Sequence, residues 1–355
     1  MRFSICIPNY NYARYLGETI ASIQAQSYGD FEILIADNAS TDESVRLVEQ
    51  IGDPRIKVRV NHCNVGFSAN LDKAASMASG DFMLMVSSDD LMRAEALSTY
   101  ADFLAAIGPD RNVILTASQD VIDHRGEVTG EIRAKSTWLE SDRDEALSSR
   151  FGFPVYRAPA REMLRRSLLS MKNPFLFCST AYPRRLYERI EGYGGGRVIN
   201  PDKWFHWRLC AVADEVFYLD RRLMAYRWHQ SNQTAQERQA GALKYVVDDY
   251  LSTLEFDGKA LADVGVTRTD LANAYAEHLI GRHGLAVLAR YGDRDRARRT
   301  LRFGRAVYPR EVGGNWKVRL LAAVLATGPL APALARGIRY AKNRGRPLPP
   351  SPWKT

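Results

Sequence analysis

Cysteine is scarce in this sequence, and its spacing argues against a cysteine-bound zinc site. The 355 residues contain four cysteines, Cys6, Cys63, Cys178 and Cys210. No two of them form a CxxC pair, which argues against a zinc site. We therefore expect reduced and mostly buried thiols, as is usual for a cytoplasmic protein.

Long apolar runs are also missing. The longest candidate, residues 320–334, is interrupted by Gly328, Pro329 and Pro332, so it is too broken for a regular membrane-spanning helix. The chain opens directly on an apolar strand, residues 2–8, without the pattern of a signal peptide. These two features predict a cytoplasmic location.

Acidic residues are nearly absent from the C-terminal segment. Residues 294–354 contain 15 Lys or Arg and only two acids, Asp295 and Glu311, which gives a net charge of +13; residues 1–293 carry −5. Such a basic segment favours anionic surfaces, either phospholipid headgroups or a phosphate-bearing acceptor. No nucleic-acid-binding motif accompanies the charge, so we expect no nucleic-acid partner.

Four strand and helix units follow one another near the N-terminus. The hydrophobic periodicity predicts strands at residues 3–8, 31–36, 56–60 and 82–86, and helices at residues 15–26, 42–49, 68–77 and 93–106. Ser40 or Thr41 is expected to cap the second helix. This succession predicts a mainly parallel sheet with right-handed crossovers. Ligands of such sheets bind at the carboxyl ends of the strands.

The remaining pattern is weaker and then becomes helical. We expect a strand at 113–117, a loop-rich insertion at 128–158, a strand at 176–182, helices at 184–190 and 203–211, and a closing pair of strands at 216–219 and 223–228. Further helices are predicted at 242–255, 268–291, 295–307 and 316–325. The predicted domains are 1–235, divided into halves 1–110 and 111–235, a helical region 236–345 and a flexible end 346–355.

Short polar motifs follow the predicted strands in a fixed order. They are Ile7-Pro8-Asn9-Tyr10-Asn11, Asp37-Asn38-Ala39-Ser40-Thr41-Asp42, Asn64-Val65-Gly66, Gly80-Asp81-Phe82 and Ser87-Ser88-Asp89-Asp90. Each motif is weak alone, but their order and spacing resemble the family 2 glycosyltransferases over roughly residues 3–235. The resemblance implies an α/β fold of the GT-A type, a Rossmann-like and mainly parallel nucleotide-diphospho-sugar transferase sheet, here with a C-terminal helical appendage.

The same resemblance implies a nucleotide site at the ends of the first strands. Its residues would be Pro8, Tyr10, Asp37, Asn38, Asn64, Lys73 and Ser88. Asn38 stands where the commonest pattern has a second aspartate, and either Asp37 or Asn38 is a candidate for contacting the base. Asp37 alone would also suit a helix cap. Lys73 suits a phosphate contact and a solvated surface position equally well.

A divalent-cation site is expected after the fourth strand. Two adjacent carboxylates, Asp89 and Asp90, raise each other's pKa unless a cation lies between them. Oxygen ligands favour Mn²⁺ or Mg²⁺ as the cofactor. The resemblance adds His229 as a third ligand and Arg227 as a diphosphate contact, and Ser87 replaces an aspartate of the family pattern. The alternatives are an acidic pair at a helix start and a structural histidine.

The segment Asn200 to Trp207 resembles the second acidic motif of the family, in which an aspartate is the general base. Asp202 is the carboxylate at that place, and its neighbour Lys203 should lower its pKa and keep it ionised. A helix N-cap is the alternative. Four aromatic residues suit either stacking on a sugar or packing in the core: Trp204, Trp207, Trp228 and Tyr193.

The resemblance therefore predicts an inverting glycosyltransferase. It would move a sugar from a nucleoside diphosphate donor, UDP- or dTDP-linked, to a hydroxyl of a glycan or lipid-linked acceptor in bacterial surface polysaccharide or glycolipid assembly. One alternative is a catalytically degenerate scaffold. Another is a sugar-1-phosphate nucleotidyltransferase, although that class needs a Gly-rich loop with an arginine. The basic tail would either attach the enzyme peripherally to the inner face of the membrane or pack on the rest of the chain.

Overall fold

The computed structural model describes residues 1–134, 137–194, 201–230, 232, 243–279 and 284–342. The chain forms two compact units, the first comprising residues 1–164 and 172–229 and the second residues 165–171 and 230–355. The predicted boundary at residue 235 lies outside the described residues. The sequence did not predict that residues 165–171 belong with the C-terminal unit.

The first unit begins with alternating strands and helices. They are β1 (Phe3–Asn9), α1 (Ala13–Gln24), β2 (Phe31–Asp37), α2 (Ser44–Ile51), β3 (Ile56–Val60), α3 (Phe67–Ala75), β4 (Phe82–Met85), β5 (Leu91–Met92) and α4 (Ala96–Ile107). The second half contains β6 (Val113–Ile122), β7 (Val128–Ile132), α5 (Glu145–Phe151), β8 (Val155–Pro159), α6 (Ala160–Ser170, which runs into the second unit), β9 (Ala181–Pro183), α7 (Arg184–Arg189), α8 (Pro201–Val212) and β10 (Glu215–Arg227). Two 3-10 turns lie at Glu140–Asp142 and Phe177–Ser179.

Ten strands among the described residues form one sheet: eight lie in the order β3-β2-β1-β4-β9-β6-β10-β5, while β7 pairs with β6 and β8 pairs with β10. The strands β1 to β4 are parallel, as predicted, and the register pairs Phe3 with Phe31 and Asn9 with Asp37. The strands β5, β7, β8 and β9 pair antiparallel with their neighbours. All carboxyl ends of β1 to β4 therefore meet at one edge, where the predicted motifs lie.

The central strands are apolar because the sheet buries both of their faces. Every residue of β1, β2 and β4 is buried. This is the burial expected of parallel strands covered by helices on both sides. One charged side chain, Glu32, lies in this core and is held by hydrogen bonds from Ser4, Ser79 and Lys57 at 2.7–2.9 Å.

Gly80 has a packing reason for lacking a side chain. A Cβ at this position would lie 2.7 Å from the carbonyl oxygen of Arg2 and 2.9 Å from the hydroxyl of Ser4. The backbone therefore approaches β1 more closely than any other residue type would allow. Next to it, the Asp81 carboxylate accepts a hydrogen bond from the backbone N–H of Arg2 at 2.8 Å. These contacts explain why the turn before β4 reads Gly80-Asp81-Phe82.

Three local predictions were wrong. Residues 128–158, expected to be loop-rich, contain β7, a 3-10 turn, α5 and β8. The closing pair of strands is the single strand β10, which bends through register shifts between Leu219 and Met224. Neither Ser40 nor Thr41 caps α2, which starts after Glu43 without a side-chain cap, because the Ser40 hydroxyl is bonded to Asp37 instead.

The second unit is helical, as predicted. Its helices are α9 (Leu243–Leu254), α10 (Gly258–Asp263), α11 (Arg268–His278), α12 (Ala286–Tyr291), α13 (Arg294–Val307), α14 (Pro309–Gly314), α15 (Trp316–Ala326) and α16 (Ala331–Lys342), with a 3-10 turn at Gly328–Leu330. Within the described ranges, no single helix has both the length and the apolar composition to cross a bilayer. The pair Trp316–Ala326 and Gly328–Ala341, bent by 120°, passes that test jointly, by length and composition alone.

Candidate active site

The loops after β1 and β2 are bonded to each other at the sheet edge. Asn9 Nδ2 donates to Asp37 Oδ2 at 2.8 Å, and the Asp37 carboxylate also accepts from the backbone N–H and the hydroxyl of Ser40 at 2.8 and 2.7 Å. Asn11 Oδ1 accepts from the backbone N–H of Thr41 at 2.7 Å. The buried Asp37 carboxylate thus connects the two loops by hydrogen bonds. Its contact with a base stays a prediction.

This bonding places Tyr10 at the surface. Asn11 and Ala39 adopt left-handed backbone angles, with φ of 57° and 61°, which turn both loops sharply after their strands. The Tyr10 side chain is 43% exposed, whereas Pro8 is buried within β1 opposite Ala36. Of this predicted base-binding pair, Tyr10 is the residue that presents a ring to solvent.

Asn38 connects the second loop to the loop after β3. Its Nδ2 donates to Asn64 Oδ1 at 2.9 Å, and its Oδ1 accepts from Val65 N at 2.9 Å and Asn61 Nδ2 at 3.1 Å. Gly66 follows with a φ of 85°, a conformation that favours glycine. Two of the predicted nucleotide residues, Asn38 and Asn64, therefore lie in direct contact.

The first turns of α3 support the same edge. Asn70 Nδ2 donates to the carbonyl oxygen of Ala36 at 2.9 Å, so α3 is bonded to the end of β2. Lys73 is half-buried one turn further on. A phosphate contact and a solvated position both remain open for Lys73.

Asp89 and His229, two of the predicted cation ligands, are in hydrogen-bond contact with each other. Asp89 Oδ2 lies 3.0 Å from His229 Nε2, and both side chains are buried. The imidazole packs on Tyr15 at a ring-centroid distance of 4.7 Å, which orients it. Two ligands in adjacent octahedral positions about 2.1 Å from a Mg²⁺ ion are about 3 Å apart. The pair therefore fits a divalent cation, although the described residues contain no cluster of three or more ligands.

Both carboxylate oxygens of Asp90 accept hydrogen bonds from other residues of the chain. Its Oδ1 accepts from the backbone N–H of Arg227 at 2.9 Å and its Oδ2 from the thiol of Cys178 at 2.8 Å. Complete burial raises the pKa of Asp90 to about 8, and the charge of Asp89 adds to this rise. The metal role of Asp90 stays a prediction. Its two observed contacts, with Arg227 and Cys178, connect parts of the fold. The sequence predicted neither the contact of Cys178 with Asp90 nor its contact with Ser87, at 3.3 Å.

Ser88 contributes through its backbone. Its carbonyl oxygen accepts a hydrogen bond from Thr19 Oγ1 at 3.0 Å, which joins α1 to the turn after β4. The side chain of Ser88 is buried. Its predicted nucleotide contact stays a prediction.

Arg227 is a fully buried cation beneath the site. Its Nε donates to the carbonyl oxygen of Asp89 at 2.9 Å, and one of its terminal nitrogens donates to Glu18 at 2.6 Å. The guanidinium lies over the ring of Tyr15, 4.8 Å from its centroid. These partners satisfy a charge that would otherwise be costly to bury. The diphosphate contact predicted for Arg227 remains untested; in this structure Arg227 joins β10, α1 and the Asp89 turn.

Asp202 is the second residue of α8 and is half-buried. Its predecessors, residues 195–200, lie outside the described ranges. The ammonium of Lys203 lies 5.0 Å from the ring centroid of Trp207. The roles of Asp202 as base and of Lys203 in lowering its pKa stay predictions. Trp204, Trp207 and Tyr193 are buried, which favours core packing over sugar stacking.

Comparison with known proteins gives a family match over nearly half of the chain. Residues 4–171 match the family described as Glycosyl transferase family 2. An uncharacterized glycosyltransferase of Nostoc sp. is 24% identical over 331 residues, which cover 90% of this chain and 85% of the relative. The abequosyltransferase RfbV of Salmonella typhimurium is 37% identical over 116 residues, which cover 30% of this chain and 34% of RfbV.

Solved structures show the same fold. The structure of Staphylococcus aureus TarS 1-349 in complex with UDP-GlcNAc superposes with a TM-score of 0.62 at 17% identity, covering 98% of this chain and 93% of that one. The mannosyltransferase PcManGT from Pyrobaculum calidifontis, in complex with GDP-Man and Mn2+, gives a TM-score of 0.51 at 17% identity, covering 93% and 87%. The predicted GT-A fold is thereby confirmed.

Proposed function

Because this chain belongs to the family 2 glycosyltransferases, we propose that it moves a sugar from a nucleoside diphosphate donor to a hydroxyl acceptor with inversion at the anomeric carbon. The observation that carries the proposal is the meeting of Asp89 and His229, 3.0 Å apart, at the edge that also holds the Asn38–Asn64 contact. These contacts support a cation site and a base site at the same edge of the sheet.

The donor would be UDP- or dTDP-linked. Tyr10 offers an exposed ring for stacking, and Asn38 and Asn64 supply amide groups in the loops after β2 and β3. Two relatives support a nucleotide-sugar donor by their descriptions: TarS was solved with UDP-GlcNAc, and PcManGT with GDP-Man. Their different bases leave the base preference of this chain to experiment.

A divalent cation, Mn²⁺ or Mg²⁺, would be held by Asp89 and His229. When bound, it would offset the charge of the departing diphosphate. Arg227 keeps the Asp89 turn in place through its bond to the Asp89 carbonyl oxygen. His229 is oriented by the Tyr15 and Tyr12 rings. The chain's own part in this step is therefore to hold two ligands in fixed positions.

Asp202 would remove the proton from the acceptor hydroxyl. It lies in the first turn of α8, where the partial positive charge of a helix N-terminus favours the ionised form of a carboxylate. The attack on the anomeric carbon would be a single in-line displacement, which inverts its configuration.

The acceptor would be a glycan or a lipid-linked glycan in surface polysaccharide or glycolipid assembly, on the cytoplasmic side of the membrane. RfbV and TarS, described as an abequosyltransferase and a poly(ribitol-phosphate) beta-N-acetylglucosaminyltransferase, support an acceptor of this class. The matched segment covers 19% of TarS and 34% of RfbV, so their substrates serve here as a guide to class alone.

Asp202→Asn tests the proposal. We expect it to bind UDP or dTDP with Mn²⁺ as the wild type does, and to lose transfer by roughly 10²–10⁴-fold, as is typical for loss of a general base. Calorimetry measures the first quantity, and release of the nucleoside diphosphate from a panel of nucleotide sugars and acceptors measures the second.

The matched control is Asp214→Asn, an exposed carboxylate just beyond the other end of α8. It should leave both quantities unchanged. Wild-type transfer by Asp202→Asn would place the base elsewhere. Nucleotide binding without transfer or hydrolysis of any nucleotide sugar by the wild type would favour the degenerate scaffold.

A further inference from the structure

The last two helices of the chain present apolar side chains on two opposite faces. On α15, Val318, Leu321, Val324 and Leu325 are buried. Leu321 packs so closely on Gly284 that a Cβ there would lie 2.4 Å from it. Ordinary core packing therefore explains why this face of the helix is apolar.

The opposite face of α15 is also apolar, but it is exposed. Trp316 is 67% exposed and Leu320 is 37% exposed. Ala323 and Ala326 continue this face at helical spacing and are exposed as well. A solvent-facing helix surface normally carries polar residues, and here Arg319 is the charged residue among them.

Exposed apolar side chains also occur after the 120° bend between the two helices, and they are counted here as part of the same exposed stripe. Leu330 is 65% exposed and Leu334 is 45% exposed, and Ala333 between them is exposed. Tyr340, at 54% exposure, lies on the next turns of α16. Large apolar side chains grouped in this way on a surface mark an interaction site more often than isolated ones do.

The two helices themselves carry charge of one sign. From residue 312 to residue 342 the sequence has five Lys or Arg and no acid. Arg319 and Arg336 are exposed beside the apolar residues, while Lys317 is paired with Glu277. An amphipathic helix with basic flanks suits the boundary between lipid headgroups and acyl chains, where apolar side chains insert and basic ones meet anionic headgroups.

We propose that the exposed stripe Trp316, Leu320, Leu330 and Leu334 docks this enzyme on an anionic lipid bilayer, with the helices lying in the interface. The proposal rests on the proposed function only in that a lipid-linked acceptor would make the placement useful. Binding to the bilayer needs no donor, acceptor or cation.

The test is co-sedimentation of the full-length chain with phosphatidylcholine vesicles with and without phosphatidylglycerol, at low and high salt. Two variants, Trp316→Ser/Leu320→Ser and Leu330→Ser/Leu334→Ser, remove the stripe on either side of the bend. We expect binding to anionic vesicles that falls with salt, and a loss of about tenfold or more in at least one variant.

The matched control is Val60→Ser/Val128→Ser, two apolar residues of the first unit that are 49% and 55% exposed. It should bind as the wild type does. Arg319→Gln/Arg336→Gln should weaken binding to anionic vesicles by about fivefold per charge and leave neutral vesicles unaffected. Far-ultraviolet circular dichroism and the thermal midpoint show whether each variant is folded.

Three results would overturn the proposal. They are no binding of the wild type to anionic vesicles at low salt, unchanged binding by both stripe variants, and a dimer in solution that the stripe variants dissociate while vesicle binding is absent. Transfer activity is measured separately with a water-soluble acceptor. Its failure would count against the proposed function and not against the docking surface.

Discussion

At the scale of single residues, Asp89 and Asp90 are neighbours in the chain with different surroundings. The Asp89 carboxylate meets His229, and the Asp90 carboxylate meets the Arg227 backbone and the Cys178 thiol. Substitution of Asp89 and substitution of Asp90 should therefore affect different properties of the protein, although the sequence pattern predicted both residues as metal ligands.

We expect Asp89→Asn to abolish the Mn²⁺ dependence of UDP binding while the protein keeps most of its stability. Asp90→Asn should lower the free energy of unfolding by about 1–3 kcal/mol, because it alters a buried and fully bonded group. Titration calorimetry with and without Mn²⁺ and urea unfolding separate the two effects. If both variants retain Mn²⁺-dependent affinity, the cation site proposed at Asp89 is wrong.

The residues that sequence reasoning missed are those whose partners are distant. The sequence predicted Cys178 only as a buried thiol and made no prediction for Glu18, yet Cys178 contacts Asp90 and Glu18 contacts Arg227. Glu18 is 209 positions away from Arg227, which it pairs with, and no local pattern predicts such a contact. The motif residues Asn38, Asn64, Asp89 and His229 could be named in advance because they lie in motifs that resemble those of a known family.

At the scale of elements, the predictable part was the four parallel strands, three of which are buried along their whole length. β1 to β4 differ from their predicted bounds by at most one residue at either end. β6 was predicted to end at residue 117, but it continues to Ile122 through the buried polar residues Ser118, Gln119 and Asp120. Hydrophobicity cannot identify a strand whose polar side chains are satisfied by partners elsewhere in the fold, such as Tyr218 for Ser118.

Glu32 joins three elements and provides a pH-dependent test of this packing. Burial alone would raise its pKa, but hydrogen bonds from Lys57, Ser79 and Ser4 outweigh it and lower the pKa to about 2. Since the unfolded pKa is about 4.3, the stabilisation is complete above that pH. It is lost as the pH falls toward about 2.

We therefore expect Glu32→Gln to cost about 1.5–3 kcal/mol at pH 7, the range for hydrogen bonds to a charged group. The difference from the wild type should shrink between pH 4 and pH 2, the interval set by the two pKa values of about 4.3 and about 2. Urea unfolding at several pH values measures this. Glu49→Gln, on the exposed side of α2, is the control and should change little. A constant difference at all pH values would contradict the assignment.

At the scale of the whole molecule, every predicted nucleotide, metal and base residue belongs to the first unit. A core substitution in the second unit should therefore change stability without changing nucleotide affinity. Leu321→Ala, at a fully buried position of α15, should cost about 2–5 kcal/mol. The Kd for UDP with Mn²⁺, measured by calorimetry well below the unfolding temperature, should stay at the wild-type value.

Leu84→Ala is the comparison within the first unit. Leu84 lies in β4, just before the Asp89 turn, and is fully buried. Its loss should weaken both stability and nucleotide binding. A weaker Kd for Leu321→Ala with a normal one for Leu84→Ala would contradict the placement of the nucleotide site in the first unit.

The sequence separation of Asp89 and His229 also determines when both residues of the proposed cation site are present during synthesis. These two residues are 140 positions apart, and the strand that carries Arg227 and positions His229 is the last of the sheet. The loops of the proposed base site lie within about the first 70 residues of the chain, where Asn70 bonds to the end of β2. A nascent chain on the ribosome therefore acquires its polar loops early but lacks one ligand of the proposed cation site until His229 has emerged. Truncated products that stop short of that residue would keep part of a nucleotide site and have no complete reaction centre.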